Sequence, residues 1–299
     1  MIFHRVLHEP DPLRPGEPTA AEFEARMRWA KAHFNVLPLP EAIARLRDGT
    51  LPARPLAITF DDGYRDNHDI ALPILQRLGL HATFFVATRY LDGGCMFNDV
   101  VIEAIRQAPA GRLDLEALRL GVHDLTDIAG RREAIAQLLP TLKPMPVEAR
   151  ADLAASIARA AGATVPSDLM MSSAQVAALS RAGMEVGAHT DAHPILAACE
   201  DRVAREEIAR GRTALESIVG HRVGMFAYPN GRPRLDYGRA HVAMVREMGF
   251  DGAVSTAWGV SSAGSDPFQL PRFTPWDRNP LRTDLRMLGN LRRTAYETV

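Results

Sequence analysis

Short apolar runs and helical patterns alternate along most of this chain, and a glycine marks many of the changeovers. The candidate strands are Ile2–Val6, Leu56–Phe60, Ala82–Val86, Met184–Ala188, Met225–Tyr228, Ala253–Thr256 and Gln269–Phe273. Most are continuously apolar rather than alternating, as expected for strands covered on both faces. Helical patterns fall between them at Ala20–His33, Leu39–Asp48, Asp69–Leu78, Ser173–Ala182, Asp201–Gly220 and Arg239–Met248. Gly79, Gly183, Gly220 and Gly249 stand where C-caps are expected before the next strand. This rhythm predicts a parallel sheet or barrel of the α/β class. It stops between about Phe97 and Met171. That stretch is rich in Ala, Leu and Arg, is punctuated by Pro109, Pro140, Pro144 and Pro146, and reads as helices without strands. We take it as a helical insertion on the barrel, either a lid or wall of a site or a purely structural excursion. Residues 279–299 read as a closing helix and a frayed end.

Composition narrows the function. The 299 residues carry 35 Lys+Arg against 36 Asp+Glu, a formal charge of −1, with 46% hydrophobic and 24% charged residues. That balance argues against disorder and offers no positive excess for nucleic acid or an anionic membrane. Cys95 and Cys199 are far apart with no CxxC spacing, so neither a disulfide scaffold nor a cysteine-rich zinc site is expected. There is no apolar run of transmembrane length, and no signal peptide is visible at Met1–Val6, so the expectation is a cytoplasmic protein, although a mature or truncated chain of a periplasmic or envelope-associated protein would read the same. Length leaves the domain count open; we expect a single domain over 1–299.

Two strand ends carry chemistry. In Thr59-Phe60-Asp61-Asp62-Gly63 an apolar strand runs into adjacent carboxylates and a glycine. Sites of parallel α/β folds lie at such ends, where one acid can bind a metal while its neighbour acts as a base. A plain Asp-Asp-Gly turn is the alternative. In Glu185–Pro194 a strand leads into His189 and His193, four residues apart. One helical turn would put both imidazoles on one side, although a pair of satisfied histidines would look the same. Taken together, the clusters suggest a His, His, Asp site with open positions for water and substrate.

The succession TFDDG (59–63), Tyr64-Arg65-Asp66-Asn67, Ala82-Thr83-Phe84-Phe85-Val86 and HTDAHP (189–194) resembles the polysaccharide deacetylase family (NodB homology, carbohydrate esterase family 4). The resemblance covers most of the chain outside Phe97–Met171. It implies a distorted, incomplete (β/α)7 barrel that removes N- or O-acetyl groups from sugars with one divalent metal. By the same resemblance Asp61 is the general base, and Asp62, His189 and His193 are the metal ligands. Zinc suits two imidazoles and a carboxylate, and nickel, cobalt or iron would also fit. Tyr228-Pro229-Asn230 aligns with a wall of the substrate groove, with the oxyanion-binding N–H near Asn230. The arginine that usually opens that motif is absent, with Phe226 or Ala227 in its place. A late histidine is also missing, and Arg272 occupies the comparable strand.

The segment Ile2-Phe3-His4-Arg5-Val6 is similar to an N-terminal strand of the exopolysaccharide, or poly-N-acetylglucosamine, deacetylase type, which makes His4 the expected general acid. Arg272 could replace the lost arginine by pairing with Asp61, or form an ordinary ion pair. Trp258 and Trp276 follow late strands and could stack on a sugar or belong to the core. The implied partner is an acetylated sugar, with N-acetylglucosamine-type units of a polysaccharide, oligosaccharide or glycolipid as the expected substrate. An amidohydrolase of a non-sugar amide and a non-catalytic sugar-binding relative remain as alternatives.

Overall fold

The computed structural model describes residues 1–275 and 280–299. In chain order the elements are β1 (Ile2–Phe3), α1 (Ala20–His33), β2 (Asn35–Val36), α2 (Leu39–Asp48), β3 (Pro55–Leu56), β4 (Thr59–Phe60), α3 (Leu72–Leu78) and β5 (Thr83–Val86). Next come α4 (Phe97–Gln107), β6 (Arg112–Asp114), β7 (Val122–Asp124), α5 (Ile128–Leu142), α6 (Val147–Ala160) and α7 (Ser173–Arg181). The chain continues with β8 (Glu185–Ala188), α8 (Asp201–Val219), β9 (Met225–Ala227), α9 (Arg239–Glu247), β10 (Gly252–Val254) and α10 (Pro280–Leu291). Local chemistry sets several boundaries. Thr19 and Glu22 form a reciprocal capping box at the start of α1, and Ser172 and Gln175 do the same for α7. A π-helical turn over Asn67–Ala71 precedes α3, so the helical pattern expected from Asp69 onward begins irregularly.

Six strands form one parallel sheet in the order β1-β4-β5-β8-β9-β10, curled as an incomplete barrel with helices around it. Because every pairing is parallel, the carboxyl ends of β4, β8 and β9 share one rim, where the sites of such folds collect. The inner core is aromatic. Phe60 stacks on Phe84 at 4.8 Å and on Phe3 at 5.4 Å, and Phe23 meets both Phe3 and Phe60 edge-on. All four rings are buried, each contributing about 2 kcal/mol or more relative to exposure.

The seventh strand expected at Gln269–Phe273 is reduced to a bridge between Leu270 and Val254. The segment still touches both edges of the sheet: Leu270 N–H donates to Ala253 O at 3.0 Å, and Ile2 N–H donates to Phe273 O at 3.0 Å. Pro271 lies between them and has no N–H, so the ladder cannot continue. The reading of 97–171 as strandless is also corrected. β6 and β7 pair as a short antiparallel hairpin with Leu113 opposite His123. Three-residue strands are too short for a period-two pattern to show. The helices around the hairpin have an apolar cluster of their own, including Val101, Ile105, Leu138, Leu142, Ala154 and Ile157. Cys95 and Cys199 are free thiols. Among the described residues no helix is long and apolar enough to cross a membrane.

Candidate metal and catalytic site

The site is assembled from turns that the backbone adopts reluctantly. Asp62, Thr190, His193 and Asn230 all have positive φ, at 78°, 64°, 52° and 58°. Such values are uncommon outside glycine, most of all for a β-branched residue such as Thr190, and they cluster where geometry serves function. Gly63 follows Asp62 at φ +91°, and a Cβ there would lie 2.9 Å from Val86 Cγ1. Hence the chain can turn sharply after β4 and leave both carboxylates at the rim.

Asp62, His189 and His193 converge. His189 Nε2 lies 3.5 Å and His193 Nε2 3.4 Å from Asp62 Oδ1, and the two ring nitrogens are 3.1 Å apart. Asp62 Oδ1 is buried yet has no hydrogen-bond partner among the described residues, an expensive state unless another group completes it. The opposite nitrogen of His189, Nδ1, sits 2.8 Å from Ala227 O and donates to it, which turns the Nε2 lone pair toward Asp62. Two imidazoles and a carboxylate form a suitable donor set for a divalent transition ion, and their ligand atoms all lie within 4.8 Å of one another. Burial pushes the Asp62 carboxyl up, but the facing His189 outweighs it, with the nearby His193 acting in the same direction, and holds it well below the ordinary range. Burial and the neighbouring His189 push His193 down to about 3, so it stands ready as a neutral ligand.

Asp61 is held apart from this group. Arg272 grips it with both terminal nitrogens, at 2.6 Å to Oδ1 and 2.7 Å to Oδ2. The guanidinium is fixed in turn by Ser255 O at 2.9 Å and Thr59 Oγ1 at 3.1 Å. Burial raises the Asp61 carboxyl, yet the charges of Arg272 and His189 bring it below its usual value, so it remains an ionised acceptor.

Asp61, Asp62, His189 and His193 line a cavity of about 650 Å³ together with His4, Asn230 and Tyr64, while Arg272 stands behind Asp61 and outside that lining. The main-chain carbonyl of His4 accepts from Asn67 Nδ2 at 2.8 Å, and Asn230 O accepts from Thr256 Oγ1 at 2.7 Å. The structure does not bring the remaining expected residues to that surface. Tyr228 is fully buried, stacks on Tyr237 at 3.9 Å and donates to Phe268 O at 3.0 Å. Pro229 is buried beside it. Trp258 packs against Phe273 and lies under Arg293. Trp276 lies outside the described residues. The sequence reading passed over Arg150 and Lys143, which line the cavity from the 97–171 helices, and Arg232 beyond Asn230.

A family model described as polysaccharide deacetylase matches residues 48–112 and 125–253, well over half of the sequence. This chain belongs to the polysaccharide deacetylase family. The family model passes over only 113–124 within its span, which is most of the β6–β7 hairpin. The resemblance therefore runs through the rest of the 97–171 stretch, contrary to the sequence-based boundary. A poly-beta-1,6-N-acetyl-D-glucosamine N-deacetylase of Staphylococcus epidermidis is 32% identical over 90 residues, covering 30% of this chain and 31% of that protein. The chain thus matches between 24% and 38% of the length of the curated relatives.

Two solved structures share the family's fold. IcaB from Ammonifex degensii superposes with a TM-score of 0.62 at 18% identity, covering 97% of this chain and 94% of that one. The Streptococcus pyogenes deacetylase PplD, in complex with acetate, gives 0.61 at 18% identity, covering 91% and 89%.

Proposed function

We propose that this member of the deacetylase family is a metal-dependent hydrolase that removes N-acetyl groups from N-acetylglucosamine-type units of a polysaccharide, oligosaccharide or glycolipid. The observation that carries the proposal is the division of labour between neighbouring carboxylates. Asp62 faces two imidazoles with an unsatisfied oxygen, while Asp61, one residue away, is kept ionised by Arg272. Bound by Asp62, His189 and His193, a divalent ion, zinc in the first instance, would supply Lewis acidity and lower the pKa of water in the site.

The chain's own residues do the rest. Asp61 accepts the proton lost by the attacking water, and its pair with Arg272 keeps it anionic and aimed. Asn230, at the end of the β9 turn, offers its main-chain N–H to the oxyanion, a type of contact whose loss typically costs about 3–4 kcal/mol of barrier. His4, on the N-terminal side of the same cavity, gives a proton to the leaving nitrogen, because an unprotonated amide nitrogen leaves poorly. The cavity's size suits a short stretch of sugar.

The test is acetate release from short N-acetylglucosamine oligomers by zinc-loaded and chelator-stripped protein. The expected result is release by the loaded form alone. Metal bound at full occupancy without acetate from any acetylated sugar would move the assignment to a non-sugar amide. Failure to retain metal at all would move it to a non-catalytic sugar-binding role.

A further inference from the structure

One side of the cavity carries three cations, Lys143, Arg150 and Arg232, against a single paired acid, Asp236. Arg150, from α6, is only 2% exposed, yet it makes no salt bridge among the described residues. One terminal nitrogen donates to Ala192 O and His193 O, each at 2.8 Å, and Nε has no hydrogen-bond partner among the described residues. Buried cations are normally paired, so an unpaired guanidinium lining a cavity is a standing demand for an anion. Lys143, at the end of α5, is half-buried in the same cavity and has neither a hydrogen bond nor an ion pair from its side chain among the described residues. Arg232 lines the cavity too and reaches Asp236 through Nε at a long 3.4 Å.

The other charges are already committed. Arg5 pairs with Asp66 at 2.8 Å and Arg14 with Asp99 at 2.7 Å. Of the acids on the cavity wall, Asp61 is taken by Arg272, Asp62 belongs to the ligand cluster, and Glu17 accepts the Arg5 main-chain N–H at 3.3 Å. Lys143 and Arg150 are left without an ion pair among the described residues, and Arg232, held to Asp236 through Nε, keeps its two terminal nitrogens uncommitted there.

We infer that Lys143, Arg150 and Arg232 form a subsite for an acidic group, a carboxylate or a phosphate, carried by the acetylated sugar. The inference rests on the proposed deacetylase function and specifies its substrate. Lys143 and Arg232 make the contacts, and Arg150 supplies a buried positive background while its bonds to Ala192 and His193 keep it in place. A charge-assisted hydrogen bond of this kind corresponds to roughly 10- to 100-fold in affinity.

The experiment has a binding arm and a turnover arm. Binding of N-acetylglucosamine, N-acetylglucosamine 6-phosphate and N-acetylmuramic acid to metal-free protein is measured by calorimetry at low and high salt. Acetate release from the same three sugars is then measured with zinc-loaded protein. The expected result is about 10-fold or tighter binding of one or both acidic sugars over the neutral one, shrinking with salt. The same preference appears in kcat/KM. Lys143→Met abolishes the preference and Lys143→Arg retains it. The phosphate and carboxylate arms identify which anion the subsite takes. Equal binding and equal turnover of all three sugars, or a preference untouched by both Lys143→Met and Arg232→Gln, would overturn the subsite while leaving the deacetylase reading in place. Selective, Lys143-dependent binding without acetate release from any of them would leave the subsite standing, and a parallel failure to release acetate from N-acetylglucosamine oligomers would refute the deacetylase reading.

Discussion

Replacing Arg272 with methionine removes the guanidinium that holds both oxygens of Asp61, and it leaves a carboxylate that is 3% exposed without its counter-ion. Such a group must either stay charged and unpaired, at about 3–5 kcal/mol, or take up a proton. Protonating a carboxylate of ordinary pKa about 3.9 costs roughly 1.36 kcal/mol per pH unit above that value. The cost is thus about 4 kcal/mol at pH 7 and about 1.5 kcal/mol at pH 5. In the native chain the Asp61 pKa is depressed, so its pairing stabilises the fold above the ordinary carboxylate pKa and is lost only as pH falls through the lowered value. Between pH 5 and 7 the native contribution is therefore flat, and the variant's penalty should shrink toward acid. The lost bonds to Ser255 O and Thr59 Oγ1 add about 1 kcal/mol each at either pH. Urea denaturation of the metal-free protein at the two pH values measures the difference directly. Adding Asp61→Asn should remove most of the pH-dependent part. A penalty of equal size at pH 5 and pH 7 would refute the assignment of Arg272 as the partner that keeps Asp61 ionised.

His4→Ala should retain metal and lose rate; unchanged acetate release would remove His4 from the mechanism. Gly211→Ala would place a Cβ 2.5 Å from the carbonyl of Thr190, between the two histidines. It should destabilise the fold by about 1–3 kcal/mol and weaken metal retention, and a neutral result in denaturation and dialysis would contradict that close approach. Metal retention should fall as pH drops, because a protonated His189 cannot be a ligand. Burial lowers the pKa of His189, but Asp62 and Asp61 more than reverse this, so the apparent affinity for metal should start to fall at a higher pH than it would with an unperturbed imidazole. His193, already pushed down to about 3, should not contribute. Competitive metal titrations across pH 5 to 8 that show constant affinity would count against this.

What the sequence revealed was mostly local or periodic. α1 and α2 coincide with the expected Ala20–His33 and Leu39–Asp48, because caps and turn residues mark their ends. The paired acids and histidines were visible because they follow apolar strands. The Asp61–Arg272 pair spans 211 residues, so the sequence could offer it only as one of two fates for Arg272. Tyr228 looked like a groove residue from its motif, but a stacked partner, Tyr237, covers it, and nothing in either residue's neighbours shows that. The hairpin at 112–124 was hidden by its brevity. Lys143 and Arg150 were passed over because isolated cations on helices usually belong to solvated faces. Only the packing of α5 and α6 against the rim turns these two toward a cavity.

The most direct test of the central claim is the coordination of zinc, determined crystallographically and by X-ray absorption on the loaded protein. The account predicts one ion held by Nε2 of His189, Nε2 of His193 and the Asp62 carboxylate, with Asp61 unligated and still paired to Arg272. An ion bound elsewhere, or one that enlists Asp61 in place of Asp62, would contradict it.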